Sequence, residues 1–264
     1  MDLLLKGKKA FISGSTSGIG FATAKRMLSE DATVVINGRS TATINKAVDQ
    51  LKKETGKEDI SGIAADFSKT AEVDALLQQL PEIDILINNA GIFEPKPFTN
   101  IPDEDWLNMF EVNVMSGIRL SRFYFPKMLQ KNWGRIIFIS SESGVFIPEE
   151  MIHYGVTKTA QLALSRGLAE LTKGTNVTVN AVLPGPTKSQ GAIDFINDLA
   201  KAGNISTSEV EKNFFLKARP TSLLQRFASP DEVANMITYI ASPLASATNG
   251  AALRVDGGVV RSII

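Results

Sequence analysis

The chain has 264 residues, enough for one α/β domain with a sizeable core. Lys plus Arg and Asp plus Glu number 28 each, so net charge offers nothing to draw in nucleic acid or an anionic membrane. With no Cys and His153 as the only His, disulfides, thiolate catalysis, Ser-His triads and Cys- or His-rich metal sites are excluded, and no metal centre is expected.

The first residues, Met1-Asp2-Leu3-Leu4-Leu5-Lys6, hold too few apolar side chains for a signal-peptide core. No later run approaches the roughly 18 residues of a membrane span. A cytoplasmic protein without membrane contact is the expectation. Lys9 to Ser13 reads as a short apolar strand, followed by Gly14-Ser15-Thr16-Ser17-Gly18-Ile19-Gly20 and a helical run from Phe21 to Leu28. Strand, glycine loop and helix in that order form a phosphate cradle. Glycine lets the backbone come close, and the helix start offers free N–H groups to an anion. Thr33 to Ile36 is a second strand, ending at Asn37-Gly38-Arg39. An acid at this point would bond an NAD ribose, whereas an Arg accommodates a 2′-phosphate. Asn37 stands where the acid would be, with Arg39 two residues on.

Ile44 to Lys53 reads as a helix, and Ile60 to Ala65 as a third strand ending in Asp66-Phe67. Asp66 is placed either to accept from an adenine amino group or to cap a helix from Thr70 to Leu80. Ile83 to Ile87 is continuously apolar, as a strand buried on both faces requires, and leads into Asn88-Asn89-Ala90-Gly91. Trp106 to Leu129 reads as one long helix, apolar over most of its surface, which needs a partner beyond the sheet. Asn113 in its middle is either a structural bridge or part of a site.

Arg135 to Ser140 is the next strand, with Ser141 at its end. A helix follows from Tyr154 to about Lys173. Tyr154 and Lys158 are four apart and share one face, about 40° apart around the axis. An adjacent ammonium favours the phenolate, which would bring Tyr154 into the range of a general acid or base near neutral pH. Asn176 to Leu183 is a sixth strand, broken by Pro184-Gly185-Pro186-Thr187. The pattern over 188–224 is irregular, and this segment is the candidate substrate lid. Pro230 opens a last helix to about Ile240, and Ala251 to Val255 is the final strand. No linker or repeat interrupts the chain, so one domain spanning 1–264 is expected.

Taken together, Gly14-x-x-x-Gly18-x-Gly20, Asp66, Asn88-Asn89-Ala90-Gly91, Asn113, Ser141, Tyr154-x-x-x-Lys158 and Pro184-Gly185 resemble the short-chain dehydrogenase/reductase family, in order and spacing, over essentially the whole length. The resemblance implies a Rossmann fold: a doubly wound, seven-stranded parallel sheet of order 3-2-1-4-5-6-7 with helices on both faces. It implies Tyr154 as proton donor to a ketone, Lys158 as the group that lowers its pKa and holds the nicotinamide ribose, Ser141 on the substrate oxygen, and Asn113 on a proton-relaying water. The implied cofactor residues are Gly14 through Gly20, Asn37, Arg39, Asp66, Phe67, Asn88, Ala90, Gly91, Tyr154, Lys158, Pro184, Gly185, Thr187 and Ser189. Two hydroxyl positions that often hold Thr in the family hold Ser13 and Ser189 here, and His153 matches no family role, so packing is expected of it ahead of substrate-pocket lining.

The function expected is NADP(H)-dependent interconversion of a carbonyl and a secondary alcohol, NADP(H) being favoured over NAD(H) because of Arg39. The rivals are an NAD(H)-dependent alcohol dehydrogenase, a nucleotide-binding regulator that has lost turnover, and an isomerase or epimerase on the same fold. The apolar 106–129 helix and the small residues of the 154–173 helix predict pairing across a two-fold axis, and the resemblance extends the dimer to a homotetramer.

Overall fold

The computed structural model describes residues 2–263, leaving Met1 and Ile264 outside the described residues. Seven short strands supply the frame: β1 (Lys9–Ile12), β2 (Thr33–Gly38), β3 (Ile60–Ala64), β4 (Ile85–Asn88), β5 (Gly134–Ile139), β6 (Val177–Pro184) and β7 (Ala252–Val255). All pair in parallel, in the order β3-β2-β1-β4-β5-β6-β7. The order reverses beside β1. Successive strands are therefore added outward in opposite directions from β1 and β4, which opens a crevice beyond their C-terminal ends.

Side-chain alternation assigns each strand two cores. Ile12, Ile36, Ile87 and Ile137 face one layer, against α1 (Gly18–Ser29), α2 (Thr41–Thr55) and α9 (Pro230–Ala241). Phe11, Val35, Leu86 and Ile136 face the other, against α3 (Thr70–Gln79), α5 (Ser116–Lys131) and α6 (Ile152–Glu170). Both faces are covered, as an all-parallel sheet requires. Local chemistry sets the helix starts. Ser40 accepts from Thr43 N–H to cap α2, and Ser229 and Glu232 form a reciprocal capping box with Pro230 at the first turn of α9.

Two expectations are corrected. The 106–129 stretch is not one regular helix: α4 (Asp103–Phe110) passes through a π-helical turn at Glu111–Met115 before α5 begins. Ser116 Oγ donates to the Val112 carbonyl there, competing with the backbone ladder, and Asn113 turns inward to bond Ile92. The irregular 188–224 segment contains two helices, α7 (Gln190–Gly203) and α8 (Thr207–Lys217). Ser189 and Ser206 cap them, and Asn204 ends α7 in the left-handed region at φ 48°. Leu107, Phe110, Val156 and Leu171 stay exposed on α4, α6 and the end of α6. Among the described residues, no helix is long and apolar enough to cross a membrane.

Candidate active site

One cavity of about 1180 Å³ runs across the C-terminal ends of the strands. It exceeds the roughly 300–1,000 Å³ of a pocket for one small ligand, as a site for a dinucleotide beside a second molecule must. Thr16, Ser17, Gly18 and Ile19 line one end, where α1 begins. Gly18 has φ 58° and Ser17 supplies no side-chain cap, so the first N–H groups of α1 are left for another acceptor. Gly14, Asp66, Phe67, Ala90, Gly91, Pro184, Gly185, Thr187 and Ser189 continue the wall. These residues fit an anionic nucleotide: a helix start, glycines at the wall and a cation at the rim.

That cation is Arg39, which is exposed at the cavity and makes no hydrogen bond or ion pair among the described residues. Asp66 stands nearby. Its carboxylate accepts from Ser68 N–H and Oγ–H, which hold it below the usual carboxylate range, with smaller help from Lys69 and Arg39. It therefore closes its own turn rather than capping a helix.

Four expected cofactor or catalytic residues are not brought to the cavity wall. Ser15 is fully buried; its hydroxyl donates to Ile12 O and accepts from Asn37 N–H. Gly20 lies where a Cβ would stand 2.6 Å from Asn89 Nδ2, so it serves the packing of the loop. Asn88 ends β4 on the face of Leu86, beneath α5, where Nδ2 donates to Ser121 Oγ. The neighbouring Asn89 takes the loop instead, donating to the carbonyls of Ser13 and Gly14. Asn113 is wholly buried. Its Oδ1 accepts from Ile92 N–H, its Nδ2 donates to Ile92 O and Thr157 Oγ1, and its carbonyl accepts from Gln161 Nε2 at 2.5 Å.

Asn37 touches the cavity but is 1% exposed, with an amide that accepts from Gly14 N–H and donates to Ile63 O and Ala65 O. It ties the glycine loop to β3. Ser13 does similar work, its hydroxyl accepting from Asn89 and Ala90 N–H. Ser189 Oγ accepts from Ala192 N–H as the α7 cap. His153 is wholly buried with its ring edge-on to Trp106, 5.8 Å between centroids, which is the packing role expected.

Ser141, Tyr154 and Lys158 line the same cavity, past Gly91. The 142–144 turn and α6 are pressed together to bring them there. Ser140 Oγ donates to Lys158 O, Thr159 Oγ1 donates to Gly144 O, and a Cβ on Gly144 would stand 3.0 Å from the Lys158 carbonyl. The Tyr154 ring meets Phe93 edge-on at 6.2 Å.

The electrostatics differ from the expectation. Lys158 is 4% exposed and faces two neutral oxygens, Ile139 O at 2.8 Å and Gln161 Oε1 at 3.3 Å. With no carboxylate beside it, burial pushes its pKa down to about 7. Tyr154 is pushed up rather than down. Burial is the main cause and the nearby Glu142 carboxylate the second, opposed by the Ser141 hydroxyl and by Arg219. Sequence reasoning missed Gln161, which bridges Lys158 to the Asn113 carbonyl, and the buried ion pair between Glu142 and Arg219. The only available signal was Gln161 at helical spacing, three residues after Lys158.

A family model described as short chain dehydrogenase matches residues 8–199. Two relatives from Bacillus subtilis (strain 168) align over the whole of both chains: "Uncharacterized oxidoreductase YvrD", 51% identical, and "Uncharacterized oxidoreductase YvaG", 48% identical. Among solved structures, L-sorbose reductase from Gluconobacter frateurii, complexed with NADPH and L-sorbose, superposes with a TM-score of 0.91 at 31% identity, covering 100% of each chain.

Proposed function

The chain belongs to the short-chain dehydrogenase family, and from that premise we propose that it is an NADP(H)-dependent oxidoreductase interconverting a carbonyl and a secondary alcohol. The observation that carries this reading is the single cavity lined by Ser141, Tyr154 and Lys158 at one end and by the glycine loop and Arg39 at the other. A bound nicotinamide supplies the hydride, or accepts it in reverse. The chain's own residues place the carbonyl and move the proton. Tyr154, a phenol that carries its proton at neutral pH, donates to the carbonyl oxygen as it gains charge. Ser141 offers that oxygen a second hydrogen bond, and Lys158 holds the ribose. Phe93 and Phe214 add aromatic surface to the cavity wall.

Cofactor choice rests on Arg39. A carboxylate at this rim would repel a 2′-phosphate, and none stands in Asn37-Gly38-Arg39-Ser40. The guanidinium makes no hydrogen bond or ion pair among the described residues and can give a phosphate two parallel charge-assisted bonds. Each is worth about 1.5–3 kcal/mol, enough for a preference of at least about tenfold. NADPH in the L-sorbose reductase structure supports the same choice. We expect kcat/KM to favour NADPH over NADH by that margin and Arg39→Ala to remove most of the difference; equal or better use of NADH by the unmodified chain overturns it.

The same reading includes assembly and location. Leu107, Phe110, Val156 and Leu171 are exposed, and a Cβ at Gly167 would meet open space, which suits helix pairing across a two-fold axis and a homotetramer. Light scattering at micromolar concentration is expected to give a tetrameric mass, and a monomeric mass counts against it. The absence of Cys fits a reducing compartment, and the cytoplasm is the location proposed.

A further inference from the structure

Glu142 follows Ser141 directly and is 4% exposed, yet it carries a carboxylate at the cavity wall. One of its oxygens gathers three donors: the Ser141 hydroxyl, Ser143 N–H at 2.6 Å and Ser143 Oγ–H at 2.8 Å. The other accepts from Arg219 Nε at 3.0 Å. Arg219 is equally buried and comes from 77 residues away, just beyond α8 in the 188–224 segment. Its Nη1 donates to Glu150 Oε1 at 3.0 Å and to Ala218 O at 2.8 Å.

A hydroxyl has one proton to give. While that of Ser141 points to Glu142, it cannot bond a carbonyl oxygen, and the stronger the carboxylate as acceptor, the harder the proton is to win back. A guanidinium on the far oxygen draws charge away from Ser141. We propose that Glu142 and Arg219 are positioning residues for Ser141: the carboxylate fixes the serine hydroxyl at the cavity wall, and the guanidinium loosens that hold enough for the hydroxyl to turn to the substrate oxygen. Because Arg219 is carried by the 188–224 segment, displacing that segment withdraws the cation and leaves Ser141 locked to Glu142. This inference rests on the carbonyl-reductase reading above.

The pair makes an unusual demand on variants. Arg219→Met should lower kcat for carbonyl reduction roughly tenfold or more. Adding Glu142→Gln to it should restore part of that loss, because the unpaired carboxylate that grips Ser141 is gone. An arginine that merely packs or binds substrate would give a double variant as poor as the product of the two singles, and that result overturns the proposal. If Arg219→Met does not fold by circular dichroism, Glu142→Gln alone decides. It should reduce kcat several-fold with KM changed less than about twofold, and unchanged kcat overturns the proposal. In a Ser141→Ala background, Glu142→Gln should add nothing, whereas a further loss of the same factor means that it acts elsewhere. Should the unmodified chain reduce no carbonyl with NADPH, the reductase reading itself fails. Turnover by the unmodified chain with full activity in Glu142→Gln removes only this inference.

Discussion

Tyr154→Phe is expected to lower kcat for carbonyl reduction by about a thousandfold or more, while affinity for NADPH stays within about twofold of the unmodified chain. The change removes one oxygen and keeps the ring, so the edge-on contact with Phe93 and the packing of α6 on the 142–144 turn are retained. What is lost is the group able to give a proton to the nascent alkoxide. General acid catalysis is worth about 10²–10⁴-fold, and no other hydroxyl is held to take over. The Ser141 proton is engaged by Glu142, and Lys158 lies behind it, bonded to Ile139 O and Gln161 Oε1. Stopped-flow turnover and NADPH fluorescence titration on the same preparation separate the two effects. Retention of most of the rate would remove Tyr154 from the proton step.

Much of the frame was legible because strand and helix periods are local properties. The strands fall within a residue or two of where their apolar alternation begins and ends, and the sheet order follows from the family motifs. The misreadings have physical causes. Treating β4 as ending at Ile87 put Asn88 in the loop. In fact the strand runs one residue further, and its side chain falls on the Leu86 face, away from the cavity. The π-helical turn at 111–115 was invisible because its sequence keeps ordinary helical spacing. The two helices of the 188–224 segment were hidden by Gly191, Gly203 and many polar residues, though their Ser caps at 189 and 206 were there to be read.

The site shows the same division. Motif spacing brought Ser141, Tyr154 and Lys158 to one wall, but their charges were set by partners that spacing does not reveal. Glu142 meets Arg219 across 77 residues, and Lys158 meets the Ile139 carbonyl on a different element. A local rule about an ammonium next to a phenol missed the cost of burying that ammonium without a counter-charge. Burial outweighs proximity here.

That burial gives Lys158 a second, opposing consequence for stability. Its pKa is about 10.5 in the unfolded chain and about 7 in the folded one. Below pH 7 both forms carry the proton, and the folded state bears the full penalty of a buried cation. Between about 7 and 10.5 the unfolded chain holds a proton that the folded chain lacks, so stability rises with pH; above 10.5 both are neutral and the penalty is gone. At about 1.4 kcal/mol for each tenfold in proton affinity, the swing is on the order of several kcal/mol. Lys158→Met keeps the length of the side chain and removes the titration. Its stability relative to the unmodified, cofactor-free chain should be most favourable near pH 6 and should decline steadily toward pH 10. Over the same range its NADPH affinity should be reduced and its turnover lowered with it, since the amine is assigned to the ribose. Urea melts of both chains at pH 6, 8 and 10 measure the swing. Parallel curves, with a constant offset at all three, would show that Lys158 keeps its proton when buried, and a counter-charge would then have to be sought beside it.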